Sequence, residues 1–184
     1  LSHRQSHNLP LSNPSDIFGR AARVGPVAGV YFTVLFLCAA YSGMHPLLSI
    51  LALILLLSVP WLLYRRLSAT AAAVAKVRTV PLWTEGIYSF LFGGLIMALL
   101  VYMWLRFVDP GYVRNQLELA AQLMREYPQS ASHELRHAVE AVLEQGSLPG
   151  AIQMAMSLFW TVTFTGAVLS LPVAFIIAKI KSSR

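Results

Sequence analysis

The sequence predicts an all-α integral membrane protein: four transmembrane helices, with an extracytoplasmic amphipathic helical hairpin between the third and the fourth. Three observations carry that reading. The chain is 57% hydrophobic and only 12% charged, whereas an ordinary soluble domain is about a quarter charged. Long windows hold no ionisable side chain, and about 18 apolar residues suffice for a helix to cross a hydrocarbon core about 30 Å thick. Lys and Arg also gather in alternate connections, as they do when basic loops stay cytoplasmic.

The first window runs from about Val24 to Ser42. Its Cys38-Ala39-Ala40 triplet resembles a cleavage site, but the apolar run is long for a signal peptide. Leu37 also stands where a lipoprotein signal needs a small residue. The window is therefore read as a span. The second window, Pro46 to Tyr64, ends in Trp61 and Tyr64, side chains suited to the membrane interface. The run Ala69 to Ala75 prolongs that helix toward the cytoplasm. The third window, Ile87 to Phe107, carries Tyr102 and Trp104 near its end. The fourth, Ile152 to about Ala178, contains Pro172, which is expected to kink it and free a carbonyl for Ser170 or a neighbour.

Orientation follows from the cations. Arg4, Arg20 and Arg23 precede the first span, Arg65, Arg66, Lys76 and Arg78 lie between the second and third, and Lys179, Lys181 and Arg184 end the chain. The turn at Gly43 to Pro46 has neither Lys nor Arg. Both termini are thus expected in the cytoplasm, the chain being a multi-pass membrane protein whose residues 108–151 face the periplasm or cell exterior. Residues 1–23 form a cytoplasmic segment, 24–107 the first three spans, 108–151 the external hairpin, and 152–184 the fourth span with its basic tail. The net charge of +6 then reflects topology, and its natural partner is anionic lipid at the cytoplasmic face. The basic residues do not cluster with aromatics on a solvated face, so nucleic acid is excluded. Cys38 stands alone, and no disulfide framework exists.

The hairpin is legible from periodicity. From Tyr112 to Tyr127, Val113, Leu117, Ala120, Ala121 and Met124 share one stripe at helical spacing, and Pro128 ends the helix. Ser132 is placed to cap a second helix, with Glu134 favourable in its first turn and Gly146 as its stop. Leu135, Val139, Val142 and Leu143 form the apolar face of that helix.

Between the third span and the hairpin lies "FVDPGYV", residues 107–113. Proline disfavours helix at the residue before it, so Asp109-Pro110 marks a turn as the chain leaves the bilayer. Arg106, one turn earlier, is placed to pair with Asp109 or to snorkel toward headgroups. This corner, the four spans with both ends inside, the acidic amphipathic segment and the Lys-rich end of the last span together resemble a known family. It is an uncharacterised family of four-helix bacterial inner-membrane proteins, classed as a domain of unknown function. The resemblance covers the chain from the first span to the C-terminus. It transfers no catalytic residue, and it implies an accessory role beside enzymes of lipid-linked sugar metabolism.

Two sharper chemistries bear on the same sequence. His133-Glu134-Leu135-Arg136-His137 fits H-E-x-x-H, in which two helical histidines hold zinc and the glutamate is general base. Helical phase puts His133, His137, Glu140 and Glu144 on one polar face and turns Glu134 about 100° away. A third ligand would have to come from Glu140, Glu144 or His45, since His3 and His7 lie across the membrane. No strand signal offers a substrate-aligning edge. The motif is read as a solvated face, and a metal-dependent membrane hydrolase is the alternative. Ion-coupled transport needs ionisable groups within the membrane. Glu85 and Arg106 only bracket the third span, so no buried carboxylate is expected. Gly93-Gly94 and Thr161, Thr163, Thr165 and Gly166 suit close helix packing within the bundle, or a partner surface.

The expectation is a non-catalytic accessory or scaffolding subunit of a membrane complex, with a membrane-protein partner or a second copy of itself. No catalytic residue, cofactor or metal ligand is expected. A transporter of neutral solutes or lipids is the further alternative.

Overall fold

The computed structural model describes residues 14–72, 79–127, 132–146 and 148–182. Along the chain come α1 (Pro14–Ala40), α2 (Pro46–Ala72), α3 (Thr79–Met103), a π-helical turn (Trp104–Val108), α4 (Tyr112–Glu126), α5 (His133–Gln145) and α6 (Ala151–Ser182). The chain divides into two compact units, residues 1–97 with 158–184, and residues 98–157.

Four helical segments are long and apolar enough to cross a membrane: Phe18–Ala40, Pro46–Ala72, Thr79–Val108 and Ala151–Lys181. The four expected spans are present, and each helix outruns its hydropathy window. The chain is thus a multi-pass membrane protein. α2 reaches Ala72 and so takes in the start of the Ala-rich run, whose remaining residues lie outside the described ones.

Within the larger unit, Leu63, Leu67 and Ala71 of α2, Leu82 and Phe90 of α3, and Val173, Ala174 and Ile177 of α6 form one buried cluster. Phe32 of α1 packs against its edge. Lipid tails are as apolar as leucine, so burial of this cluster is not driven by water; contact and close approach must hold it. Small residues supply the approach. A Cβ on Gly166 would run into three ring carbons of Phe90, and one on Gly29 would meet Ile96 at 2.6 Å. Gly93 faces Ala28, and Gly94 faces Phe159 and Thr163. The glycines at 93, 94 and 166 are therefore used inside the bundle. α2 is the least enclosed of the four spans: only 6% of its most apolar window is buried, and Leu47, Leu53, Ile54, Leu56 and Leu57 are exposed.

Prolines inside the helices leave carbonyls to other donors. Pro172 interrupts the bonding of α6, and the Ser170 hydroxyl turns back to the carbonyls of Gly166 and Ala167. The carbonyl that loses its donor to Pro172 is that of Val168, so Ser170 serves neighbouring groups instead. Trp83 Nε1 of α3 adds a bond to Ala167 O at 3.0 Å, tying α3 to α6 at this opened turn. In α2, one turn before Pro60, the carbonyl of Leu55 accepts from Tyr31 Oη at 2.6 Å and from Ser58 Oγ at 2.8 Å.

In the smaller unit, α3 gives way to a wide turn before Pro110. Asp109 adopts a non-helical backbone (φ −137°, ψ 75°), and its N–H reaches back five residues to Trp104 O at 3.0 Å. Trp104 stacks edge-on against Tyr112, their ring centroids 4.9 Å apart. Arg106 is exposed, and among the described residues it forms no ion pair with Asp109.

α4 buries or half-buries Val113, Leu117, Ala120, Ala121 and Met124, the stripe its periodicity predicts. It ends at Glu126, and Pro128 lies outside the described residues. α5 begins as its sequence indicates: Ser132 Oγ accepts from Leu135 N at 3.3 Å. It ends at Gly146, whose φ of 65° suits the residue without a side chain. Val139, Val142 and Leu143 are half-buried, whereas Leu135 is exposed.

Arg125 Nε of α4 donates to Glu140 Oε1 of α5 at 3.1 Å, between side chains that are 69% and 37% exposed. Such exposed pairs are worth about 0.2–1 kcal/mol. Arg125→Ala is therefore expected to shift thermal unfolding in detergent by less than about 1 kcal/mol, with added salt erasing the difference. A larger, salt-insensitive loss would show that the pair does more than close the hairpin.

Candidate functional site

The site begins with a correction. Glu85 was expected at the margin of the third span, outside the apolar window that opens at Ile87. α3 instead begins at Thr79, which puts Glu85 nearly two turns into the helix and 1% exposed. A buried carboxylate is present after all. An isolated charge in such surroundings is expensive, so its partners define the site.

Two helices supply those partners. Arg20 of α1 brings Nη2 to 3.5 Å from Glu85 Oε2, and Thr70 of α2 donates its hydroxyl to Oε1 at 3.0 Å. Ser89, one turn along α3, donates to the Glu85 carbonyl at 2.6 Å. Arg66, one turn before Thr70 on α2, lies within electrostatic reach of the same carboxylate. One acid thus joins α1, α2 and α3 where α6 also closes in. Ser170 fills the space opposite Gly86, and Lys181 Nζ donates to the Ala71 carbonyl at the end of α2.

The Arg20 contact is a single one. Its Nε is buried without a hydrogen-bond partner among the described residues, and 40% of the Arg20 side chain remains exposed. The pair is less than the two-pronged arginine–carboxylate geometry that gives the strongest such contacts. Chemically, the arrangement neutralises a carboxylate and sets three helices in register.

Beside this cluster lies a partly open cavity of about 600 Å³ between α1, α2 and α3. Val27, Phe32, Val59, Leu62, Leu63 and Phe90 make its walls apolar, and Arg65 and Arg66 stand along its α2 side. The Arg65 guanidinium carbon lies 5.5 Å from the Trp61 ring centroid, a cation–π contact.

The histidine face behaves differently. His133 and His137 are exposed and touch each other edge-on, ring centroids 4.4 Å apart. Their spacing would allow a shared ion. Glu140, which helical phase offers as a third ligand, is instead held by Arg125. No group of three or more His, Cys, Asp or Glu placed to hold a metal occurs among the described residues. His3 and His7 lie outside the described residues.

Sequence reasoning missed Glu85, Thr70 and Arg66 as a group. Two signals were available. Thr79 and Pro81 suit a helix start, since proline is favoured in a first turn, and they would have moved the span's beginning upstream of Glu85. Arg66 and Thr70 stand at i and i+4, on one face of α2.

No curated protein and no solved structure matches the chain. Residues 23–179 match the family described as protein of unknown function DUF4199. That stretch takes in α2 to α5 whole and nearly all of α1's apolar run and of α6, and the chain belongs to that family.

Proposed function

We propose that the chain is a non-catalytic accessory or scaffolding subunit that docks on a partner membrane protein through its α4–α5 unit. The observation that carries this reading is an apolar edge on an otherwise polar segment. Leu119, Leu123 and Tyr127 are 48%, 49% and 59% exposed. At a spacing of four residues Leu119 and Leu123 follow one another along one edge of α4, and Tyr127 comes just after the helix ends. That edge is separate from the stripe α4 buries, and Arg114, Glu118, Arg125 and Glu126 keep the helix too polar to enter lipid. Exposed leucines in a row on such a helix mark a contact surface.

The bundle supports the same reading. Its buried acid is engaged by Arg20 and Thr70, which suits a rigid platform. As partner we propose a protein that handles lipid-linked sugars, and the distribution of Lys and Arg supports cytoplasmic termini.

The test is a mild-detergent pull-down from native membranes, comparing the wild-type chain with Leu119→Asp/Leu123→Asp. The double variant is expected to keep its helicity and lose a stoichiometric partner. Retention of the same partner by the variant would contradict the assignment of the surface.

A further inference from the structure

We propose that the cavity between α1, α2 and α3 binds one anionic glycerophospholipid, its phosphate at Arg65 and Arg66 and one acyl chain along the apolar walls. The site is independent of the docking edge on α4.

Size and depth fit that occupant. A volume of about 600 Å³ lies within the range of about 300–1,000 Å³ usual for ligand pockets. The cavity follows α2 from Val59 to Ala69, about 15 Å at a rise of about 1.5 Å per residue. The part below the arginines, from Val59 to Arg65, is about 9 Å, more than half the depth of one leaflet of a hydrocarbon core about 30 Å thick. The arginines stand just past the apolar window of α2, at the level where a headgroup would sit.

Charge complementarity selects the headgroup. Among the described residues neither Arg65 nor Arg66 forms a contact ion pair, and the carboxylate nearest Arg66 already accepts from Arg20 and Thr70. The Arg65 guanidinium lies over the Trp61 ring, a contact that leaves its N–H groups able to donate. Arg23 of α1 adds positive charge at the same end of the bundle, while Arg20 is engaged by Glu85. The hydroxyls of the wall are already engaged: Tyr31 Oη donates to the Leu55 carbonyl and Ser89 Oγ to that of Glu85. What remains there is Val27, Phe32, Leu62 and Phe90, a surface for an alkyl chain. A zwitterionic lipid would gain the apolar contact without the net attraction.

Native mass spectrometry of the delipidated protein, titrated with dioleoyl phosphatidylglycerol or dioleoyl phosphatidylcholine, tests this. One phosphatidylglycerol is expected to bind about thirty-fold more tightly than phosphatidylcholine, the effect of two arginines each contributing about a factor of five. Arg65→Gln/Arg66→Gln should abolish the preference. Arg65→Gln alone, at an exposed position, provides a variant that folds and should lose about five-fold. Leu62→Trp should weaken both lipids by filling the cavity, and Arg114→Gln/Arg125→Gln on α4 should change nothing. Equal binding of the two lipids, a preference that survives Arg65→Gln/Arg66→Gln, or several equivalent bound lipids would overturn the proposal. So would an isoprenoid phosphate that displaces phosphatidylglycerol at lower concentration.

Discussion

Replacing Arg20 by alanine is expected to destabilise the bundle by about 3 kcal/mol, more than neutralising its partner does. Removing one member of a buried ion pair costs about 3–5 kcal/mol because the other charge stays buried and uncompensated. The two members are not equivalent here. Glu85 is 1% exposed and cannot reach water, whereas 40% of the Arg20 side chain is exposed. Losing Arg20 leaves the acid with the Thr70 hydroxyl as its one remaining donor at contact distance among the described residues, and with Arg66 as a cation within electrostatic reach that makes no contact ion pair. In Glu85→Gln the amide oxygen still accepts from Thr70, and Arg20 is free to extend toward the headgroups. Its expected cost is below about 1.5 kcal/mol, the scale of one hydrogen bond. The single 3.5 Å contact sets the Arg20 figure at the lower end of the range. Unfolding of the single and double variants in detergent closes the cycle. Arg20→Ala/Glu85→Gln should recover most of the loss, and equal losses in the two single variants would contradict the argument.

The second large effect is steric. Gly166→Ala would drive a Cβ into three ring carbons of Phe90. Phe90 is itself 7% exposed and belongs to the buried cluster with Leu67, Leu82 and Val173, so its ring has little space in which to retreat. Overpacking of this kind costs about 1–3 kcal/mol, and Gly166→Leu should prevent stable folding. Gly43 gives the matching control, because a Cβ there meets nothing within 4 Å and its φ is not positive. Gly43→Ala should leave the unfolding midpoint unchanged. A neutral Gly166→Ala would mean that α3 and α6 do not approach as closely as the structure shows.

These effects mark where a linear reading of the chain stops being sufficient. The spans were legible because lipid imposes length and composition on each helix separately, so hydropathy alone finds them. The α4 stripe, the Ser132 cap and the Gly146 stop were legible for a similar reason, each depending on residues within a few turns. The beginning of α3 was not. A hydropathy window closes at the first charge, although a helix continues through a charged residue whose partner comes from elsewhere. Glu85 became a boundary residue in that reading because Arg20 and Thr70 lie 65 and 15 positions away.

The lesson extends to the sites. H-E-x-x-H stood out because its spacing is local, and structure shows that the nearest further acid on its face, Glu140, is taken by Arg125 from another helix. The cavity beside Arg65 and Arg66 had no local signature, since α1, α2 and α3 each contribute a wall. The π-helical turn before Pro110 falls between these cases. Its cause, a proline restricting Asp109, is local, but the sequence indicates a stop without indicating that the Asp109 N–H would reach back to Trp104.

Site-specific photocrosslinking in native membranes tests the docking role most directly. A photoreactive side chain would replace Leu119, Leu123, Leu117 or Ala121 in turn. Leu119 and Leu123 lie on the exposed edge of α4, whereas Ala121 is buried and Leu117 half-buried on the opposite stripe. One discrete protein adduct is expected from positions 119 and 123, and none from 117 and 121. Adducts to lipid alone at 119 and 123, or protein adducts of equal yield at all four positions, would contradict a docking edge on this helix.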